Sequence, residues 1–215
     1  MERIFAIGDI HGCYDKMINI METIPFQAER DRLVFLGDYV DRGDHSRQVV
    51  DYLVELKKKA PQTIFLLGNH EQMLLDFLDG EDMRPYLMNG GQKTLESYKV
   101  HKDSLSHRDP KTFFPADHLN FFYSLSDTFE AEDFFFVHAG LRSGIPIKEQ
   151  DRTDLLWIRE EFYFSNFDFG KTVVFGHTPF PEPFVYNKRI GIDTGAVYGN
   201  KLTALELPAM KFYSL

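Results

Sequence analysis

Five short apolar runs in this chain end the same way, on a short Gly-containing turn that carries carboxylates, imidazoles or amides. Ile4-Phe5-Ala6-Ile7 leads into Gly8-Asp9-Ile10-His11-Gly12, and Leu33-Val34-Phe35-Leu36 into Gly37-Asp38-Tyr39-Val40-Asp41-Arg42-Gly43. Thr63-Ile64-Phe65-Leu66-Leu67 leads into Gly68-Asn69-His70-Glu71, Phe134-Phe135-Phe136-Val137 into His138-Ala139-Gly140, and Thr172-Val173-Val174-Phe175 into Gly176-His177-Thr178-Pro179. Runs of this kind, rich in β-branched and aromatic residues and bounded by turn residues, are the pattern of buried strands. In open α/β sheets ligands bind in the loops at the carboxyl ends of strands. The repetition therefore constrains the chain to a fold that gathers five such loops along one edge.

Taken singly, each loop is ambiguous. Asp-rich turns also cap helices and pair with arginine, and an isolated histidine is more often a core or surface residue than a ligand. Four of the eight histidines sit at these strand ends, however. Oxygen and imidazole donors without thiolate suit manganese, iron or zinc, so the coincidence of five loops makes coordinated metal binding the expectation.

Between the loops the periodicity is helical. Tyr14 to Thr23 carries Met17, Ile18 and Met21 at helical spacing and is stopped by Pro25. Asp44 to Lys59 presents Val49, Val50, Leu53, Val54 and Leu56 on one face, with Pro61 just beyond. With the first three strands these helices form a βαβαβ unit, for which parallel pairing and right-handed crossovers are the default. From Gln72 to about Tyr123 the pattern stays helical but is broken at Asn89-Gly90-Gly91, which predicts a helical insert over 72–123. Strands return around 133–137, 172–175, 189–193 and 202–207, with Gly199-Asn200 expected as a hairpin turn between the last two. The expected fold class is α/β, two mixed β-sheets packed as a sandwich with helices on the outer faces and the metal loops at one end. A chain of 215 residues with 43% hydrophobic content buries a full core, and one domain over 1–215 is expected.

The net charge of −9 argues against a broad nucleic-acid-binding face, which needs a basic surface. Part of that charge, on Asp9, Asp38 and Asp41, would be compensated by bound cations. Lys57-Lys58-Lys59 is read as a solvated helix end meeting the dipole. No apolar run approaches the roughly 20 residues of a bilayer span, and no basic-then-apolar leader precedes the first strand. A cytoplasmic protein without a membrane partner is expected. The single cysteine, Cys13, agrees with a reducing compartment and reads as a small buried residue, not a nucleophile.

In order, GDIHG at 8–12, GDYVDRG at 37–43, GNHE at 68–71, HAGL at 138–141 and GHTP at 176–179 resemble the calcineurin-like phosphoprotein phosphatase superfamily over nearly the whole chain. Through Leu156-Trp157-Ile158-Arg159-Glu160, Asn89-Gly90-Gly91 and Ile192-Asp193-Thr194-Gly195-Ala196 the chain looks most like the compact bacterial and phage serine/threonine phosphatases of the lambda phosphatase type. The resemblance implies that Asp9, His11 and Asp38 hold one divalent ion and that Asp38, Asn69, His138 and His177 hold another, Asp38 bridging. Manganese is the expected metal, with iron and zinc as alternatives. Two ions about 3.5–4 Å apart can lower the pKa of a shared water and clamp a phosphate. The resemblance further implies that His70 protonates the leaving oxygen, that Asp41 orients His70, and that Arg42 and Arg159, with Asn69, bind phosphate. Guanidinium forks suit that task, and an alkoxide leaving group needs an acid. The activity so implied is that of a metal-dependent serine/threonine protein phosphatase, hydrolysing phosphomonoesters of phosphorylated proteins or peptides by direct attack of a dimetal-bound hydroxide. Tyr198, shortly after Gly195, is not counted among the site residues.

An alternative uses the same loops on an anhydride, as a symmetrical dinucleoside tetraphosphate hydrolase. The chain has no evident nucleoside-binding extension, and GNHE with LWIRE favours phosphomonoesters. A catalytically silent metal-binding regulatory module should lack a ligand or the acid, and every one is present. A nuclease would want a basic substrate track, against which the charge speaks.

Overall fold

The computed structural model describes residues 3–100, 105 and 109–215. Three parallel strands, β1 (Arg3–Ile7), β2 (Asp31–Phe35) and β3 (Ile64–Phe65), form one half of the first sheet. The second sheet has the order β4 (Thr128–Ala131), β5 (Phe134–Val137), β6 (Thr172–Phe175), β8 (Arg189–Gly191), β7 (Phe184–Tyr186). There β5, β6 and β8 are parallel and the two edge strands antiparallel. The antiparallel pair β9 (Thr203–Leu207) and β10 (Lys211–Ser214) closes the first sheet on the free side of β1.

The continuous apolar runs follow from burial on both faces, since successive side chains of a strand point to opposite sides. Ile4 and Ala6 enter the layer between the sheets with Val34, Phe134, Phe136, Val174 and Leu205. Their neighbours Phe5 and Ile7 face outward onto Met17, Ile20, Val49 and Leu53. On the other sheet Phe135 and Val137 pack outward against Leu155, Phe162 and Phe175. The result is a sandwich with helices outside, the fold class that the sequence predicts.

The outer helices are α1 (Tyr14–Thr23), α2 (Ser46–Lys59) and α3 (Asn69–Leu78), then α4 (Met83–Tyr86), α5 (Gln92–Ser97) and α6 (Ala116–Tyr123). A π-turn at Leu87–Gly91 joins α4 to α5, at the expected break. Within the stretch 72–123, residues 101–108 other than Leu105 lie outside the described residues. Two short helices, α7 (Arg152–Trp157) and α8 (Glu160–Tyr163), cover the second sheet. Among the described residues no helix is long and apolar enough to cross a membrane.

Gly199-Asn200 is not a hairpin turn. Strands β8 and β9 belong to different sheets, and the hairpin partner of β9 is β10. The turn residues instead frame a 3-10 turn, Ala196–Tyr198, between two left-handed glycines, Gly195 at φ 72° and Gly199 at φ 88°. Local turn chemistry reports a positive φ, not which strands the turn joins.

Candidate metal centre

Because β1, β2 and β3 are parallel in one sheet and β5, β6 and β8 in the other, the loops after their carboxyl ends share one end of the sandwich. His11, Asp38, Asp41, Arg42 and His177 all take left-handed backbone conformations, with φ between 45° and 70°. For residues with a Cβ this costs about 1–2 kcal/mol each, and such strain concentrates at functional sites. The chains also approach closely: a Cβ at Gly176 would lie 2.1 Å from Asp9 Oδ1, so only glycine fits before His177.

Asp38 is the centre of the arrangement. His11, Asp38 and His70 bring ligand atoms within 4.8 Å of one another, and Asp38, His138 and His177 form a second such group. Asp38 Oδ2 lies 3.3 Å from His11 Nε2, and its Oδ1 lies 3.4 Å from His138 Nε2. All five side chains are buried. Asp9 stands outside both groups, accepting the His177 N–H at 2.9 Å on Oδ2, while His70 completes the first group. Burial, then the charges of Asp193 and Asp38, push the Asp9 carboxyl well above the usual carboxylate range.

The tautomers leave lone pairs pointing inward. His11 Nδ1–H donates to Val40 O at 2.8 Å, so Nε2 is the free acceptor, met by Arg42 Nη1 at 2.8 Å. His138 Nδ1–H donates to Leu36 O at 2.8 Å, which turns its Nε2 lone pair toward Asn69 Oδ1 at 2.9 Å. Burial keeps His138 neutral by lowering its pKa, and burial with the nearby His138 lowers His177 to about 2. Asn69 Oδ1 also faces His177 Nδ1 at 3.0 Å. The Nε2 atoms of His177 and His70 are buried without a hydrogen-bond partner among the described residues. Converging acceptors with few protons between them, and orphaned imidazole nitrogens, are costly unless positive charge is supplied. The donor set therefore fits a pair of hard or borderline divalent cations.

His70 Nδ1 lies 2.7 Å from Asp41 Oδ2, the pair in which the resemblance implies that Asp41 orients His70. Thr94, from α5, donates its hydroxyl to Asp41 Oδ1 at 2.6 Å and accepts the Asp41 N–H at 2.8 Å. Arg42 is steadied by its own N–H on Gly90 O at 3.2 Å. Arg159 forms the N-cap of α8, half-buried, and its charge helps hold His177 neutral.

Two contributors have no ligand signature in the sequence. Thr94 is one. Glu71 is the other, fully buried, its carboxylate accepting the N–H groups of Asp38 (2.8 Å), Tyr39 (2.8 Å), Val40 (3.2 Å) and Gly68 (3.2 Å). The only signal in the sequence is an acid three residues after Gly68, in the first turn of a helix, where it meets the positive dipole end.

The chain is 28% identical over 235 residues to a bis(5′-nucleosyl)-tetraphosphatase (asymmetrical), PrpE, of Bacillus cereus (strain B4264), covering 97% of this chain and 92% of that protein. It is 29% identical over 236 residues to the PrpE of Bacillus thuringiensis (strain Al Hakam), with the same coverage. Among solved structures, a provisionally named diadenosine tetraphosphatase superposes with a TM-score of 0.76 at 24% identity, covering 100% of this chain and 93% of that one. The model of the calcineurin-like phosphoesterase family matches residues 2–204, nearly the full length of the sandwich and all five loops, and the chain belongs to that family.

Proposed function

We propose that this metallophosphoesterase hydrolyses dinucleoside tetraphosphates at a phosphoanhydride bond. The observation that carries the substrate choice is its end-to-end similarity to bis(5′-nucleosyl)-tetraphosphatases, over 97% of the chain. The relatives' asymmetric cut, into mononucleotide and nucleoside triphosphate, is the mode expected here; the symmetrical cut is the variant.

Asp9, His11 and Asp38 would hold one ion and Asp38, Asn69, His138 and His177 the other, with manganese the first choice and iron or zinc compatible with the same donors. When bound, the ions supply an activated water and neutralise phosphate charge. Arg42 and Arg159 hold phosphoryl oxygens through their guanidinium forks. Asp41 fixes the proton on His70 Nδ1, which leaves Nε2 to serve the departing oxygen. A departing phosphate is a weaker base than an alkoxide, so an anhydride asks less of that acid.

That last point also supports a second reading. The buried His70–Asp41 pair suits an alkoxide leaving group, as in a serine/threonine protein phosphatase of the lambda type acting on a phosphorylated protein. In both readings the chain acts in the cytoplasm without a membrane partner, and the charge of −9 speaks against a nucleic-acid one. The test is hydrolysis of diadenosine tetraphosphate against phosphoserine and phosphothreonine peptides by the manganese-loaded protein, with products separated chromatographically. We expect AMP with ATP, at a kcat/KM at least about tenfold above that for the peptides. Preference for the peptides would replace the first reading with the second.

A further inference from the structure

The chain's one tryptophan is not in the core. In α7 its neighbours Leu155 and Leu156, and Ile158 after it, are buried, while Trp157 keeps 41% of its surface in water. Its ring stands edge-on to the His177 ring at 6.1 Å and 82°, at the lip of the metal centre. On the other side, Tyr198 is 63% exposed on its 3-10 turn, and the Arg42 guanidinium lies 5.7 Å from its ring centroid. Since Arg42 also touches His11, the two exposed aromatic rings flank the centre from its His177 side and its His11 side.

Aromatic rings exposed beside a phosphate-binding centre have an obvious chemistry available to them. Nucleobases stack on such rings whatever their sequence, and a guanidinium over a ring adds a cation–π contribution. We infer that Trp157 and Tyr198 are the nucleobase platforms of this site, one base of a dinucleoside polyphosphate stacking on each while its phosphates cross the metal centre. This deepens the dinucleoside reading and rests on it. It also supplies a nucleoside-recognition element without any added domain.

Because Trp157 is the sole tryptophan, its fluorescence reports on this position alone. The manganese-loaded protein is titrated with AMP and, separately, with ribose 5-phosphate, which carries the phosphate without the base. Saturable quenching by AMP that well exceeds that by ribose 5-phosphate is expected; equal changes overturn the inference. In hydrolysis, Trp157→Ala and Tyr198→Ala should each lose about tenfold or more in kcat/KM on diadenosine tetraphosphate beyond whatever they lose on p-nitrophenyl phosphate. Trp157→Phe should recover most of its loss, and equal losses on the two substrates would make these rings structural only. If the wild type cleaves phosphopeptides but not diadenosine tetraphosphate, the dinucleoside reading fails by itself, and the AMP titration still decides whether a base stacks on Trp157.

Discussion

His70 Nδ1 sits 2.7 Å from Asp41 Oδ2, and both side chains are fully buried, so His70 has one fixed orientation and its Nε2 points away from Asp41. That geometry suits an acid held ready for a leaving oxygen, yet His70 also lies within the group formed with His11 and Asp38. Leaving-group chemistry separates the two roles. His70→Asn should cost on the order of 10²–10⁴-fold on phosphoserine. The loss should be much smaller on p-nitrophenyl phosphate or diadenosine tetraphosphate, and metal content should stay near wild type. Asp41→Asn should follow the same pattern more weakly. A His70→Asn protein that loses an ion would make His70 a ligand.

Asp38 is the only residue common to both groups, so Asp38→Asn should remove or loosen both ions, whereas His177→Asn touches one group. Metal content by elemental analysis should fall furthest in Asp38→Asn, with activity at least about 10³-fold down. Equal metal content in wild type and Asp38→Asn would rule out the bridge.

Much of this site is legible in the sequence because each ligand follows a strand at short range. Gly8-Asp9 after β1 and Gly176-His177 after β6 carry their own context; the βαβ rule aligns the loops within each sheet, and the packing of one sheet on the other brings these two together. What the sequence hides is action at a distance through the backbone. Glu71 stands in plain view beside His70, but three of its four partners are main-chain N–H groups 31–33 residues away, and any sequence offers those. Thr94 is hidden for a similar reason, 53 residues from Asp41 on a helix with no motif of its own. The substrate is less legible: GNHE and LWIRE speak to phosphate chemistry and say little about what the phosphate is attached to, and the similarity to bis(5′-nucleosyl)-tetraphosphatases supports the anhydride alternative better than the phosphomonoester.

Glu71→Ala tests the hidden contribution. Removing the carboxylate strands several buried N–H groups in the turn that carries Asp38, at a cost on the order of 3 kcal/mol. Thermal denaturation should show a clearly lowered Tm, and metal affinity should drop with it because the Asp38 turn loses its anchor. A variant with wild-type Tm and metal content would show that the turn holds itself.

Gly176→Ala separates geometry from chemistry, since it removes no ligand. The added methyl would press on Asp9 Oδ1 from a starting distance of 2.1 Å, so Asp9 must leave the His177 N–H. Metal affinity should fall about 10–100-fold, the usual cost of disturbing a group that orients a ligand. The circular dichroism spectrum should stay native. Full affinity in this variant would mean that Asp9 is dispensable.

The acid limb of stability has an identifiable contributor far from the metal. Burial alone would raise the Asp31 carboxyl, but Arg3, bonded to it at 2.9 and 2.6 Å, and the Gln27 N–H at 2.7 Å hold it below the usual value. A carboxylate depressed in the folded state stabilises the fold fully above its unfolded pKa, about 3.9, and that contribution is lost as pH falls through the folded value. Tm followed from pH 6 downward on metal-free wild type and Asp31→Asn, so that loss of ions does not intrude, should show the largest gap above about pH 5. The gap should close below about pH 4, as wild type protonates and comes to resemble the variant. A gap that is constant across this range would assign the effect of Asp31→Asn to packing and not to the ion pair between β1 and β2.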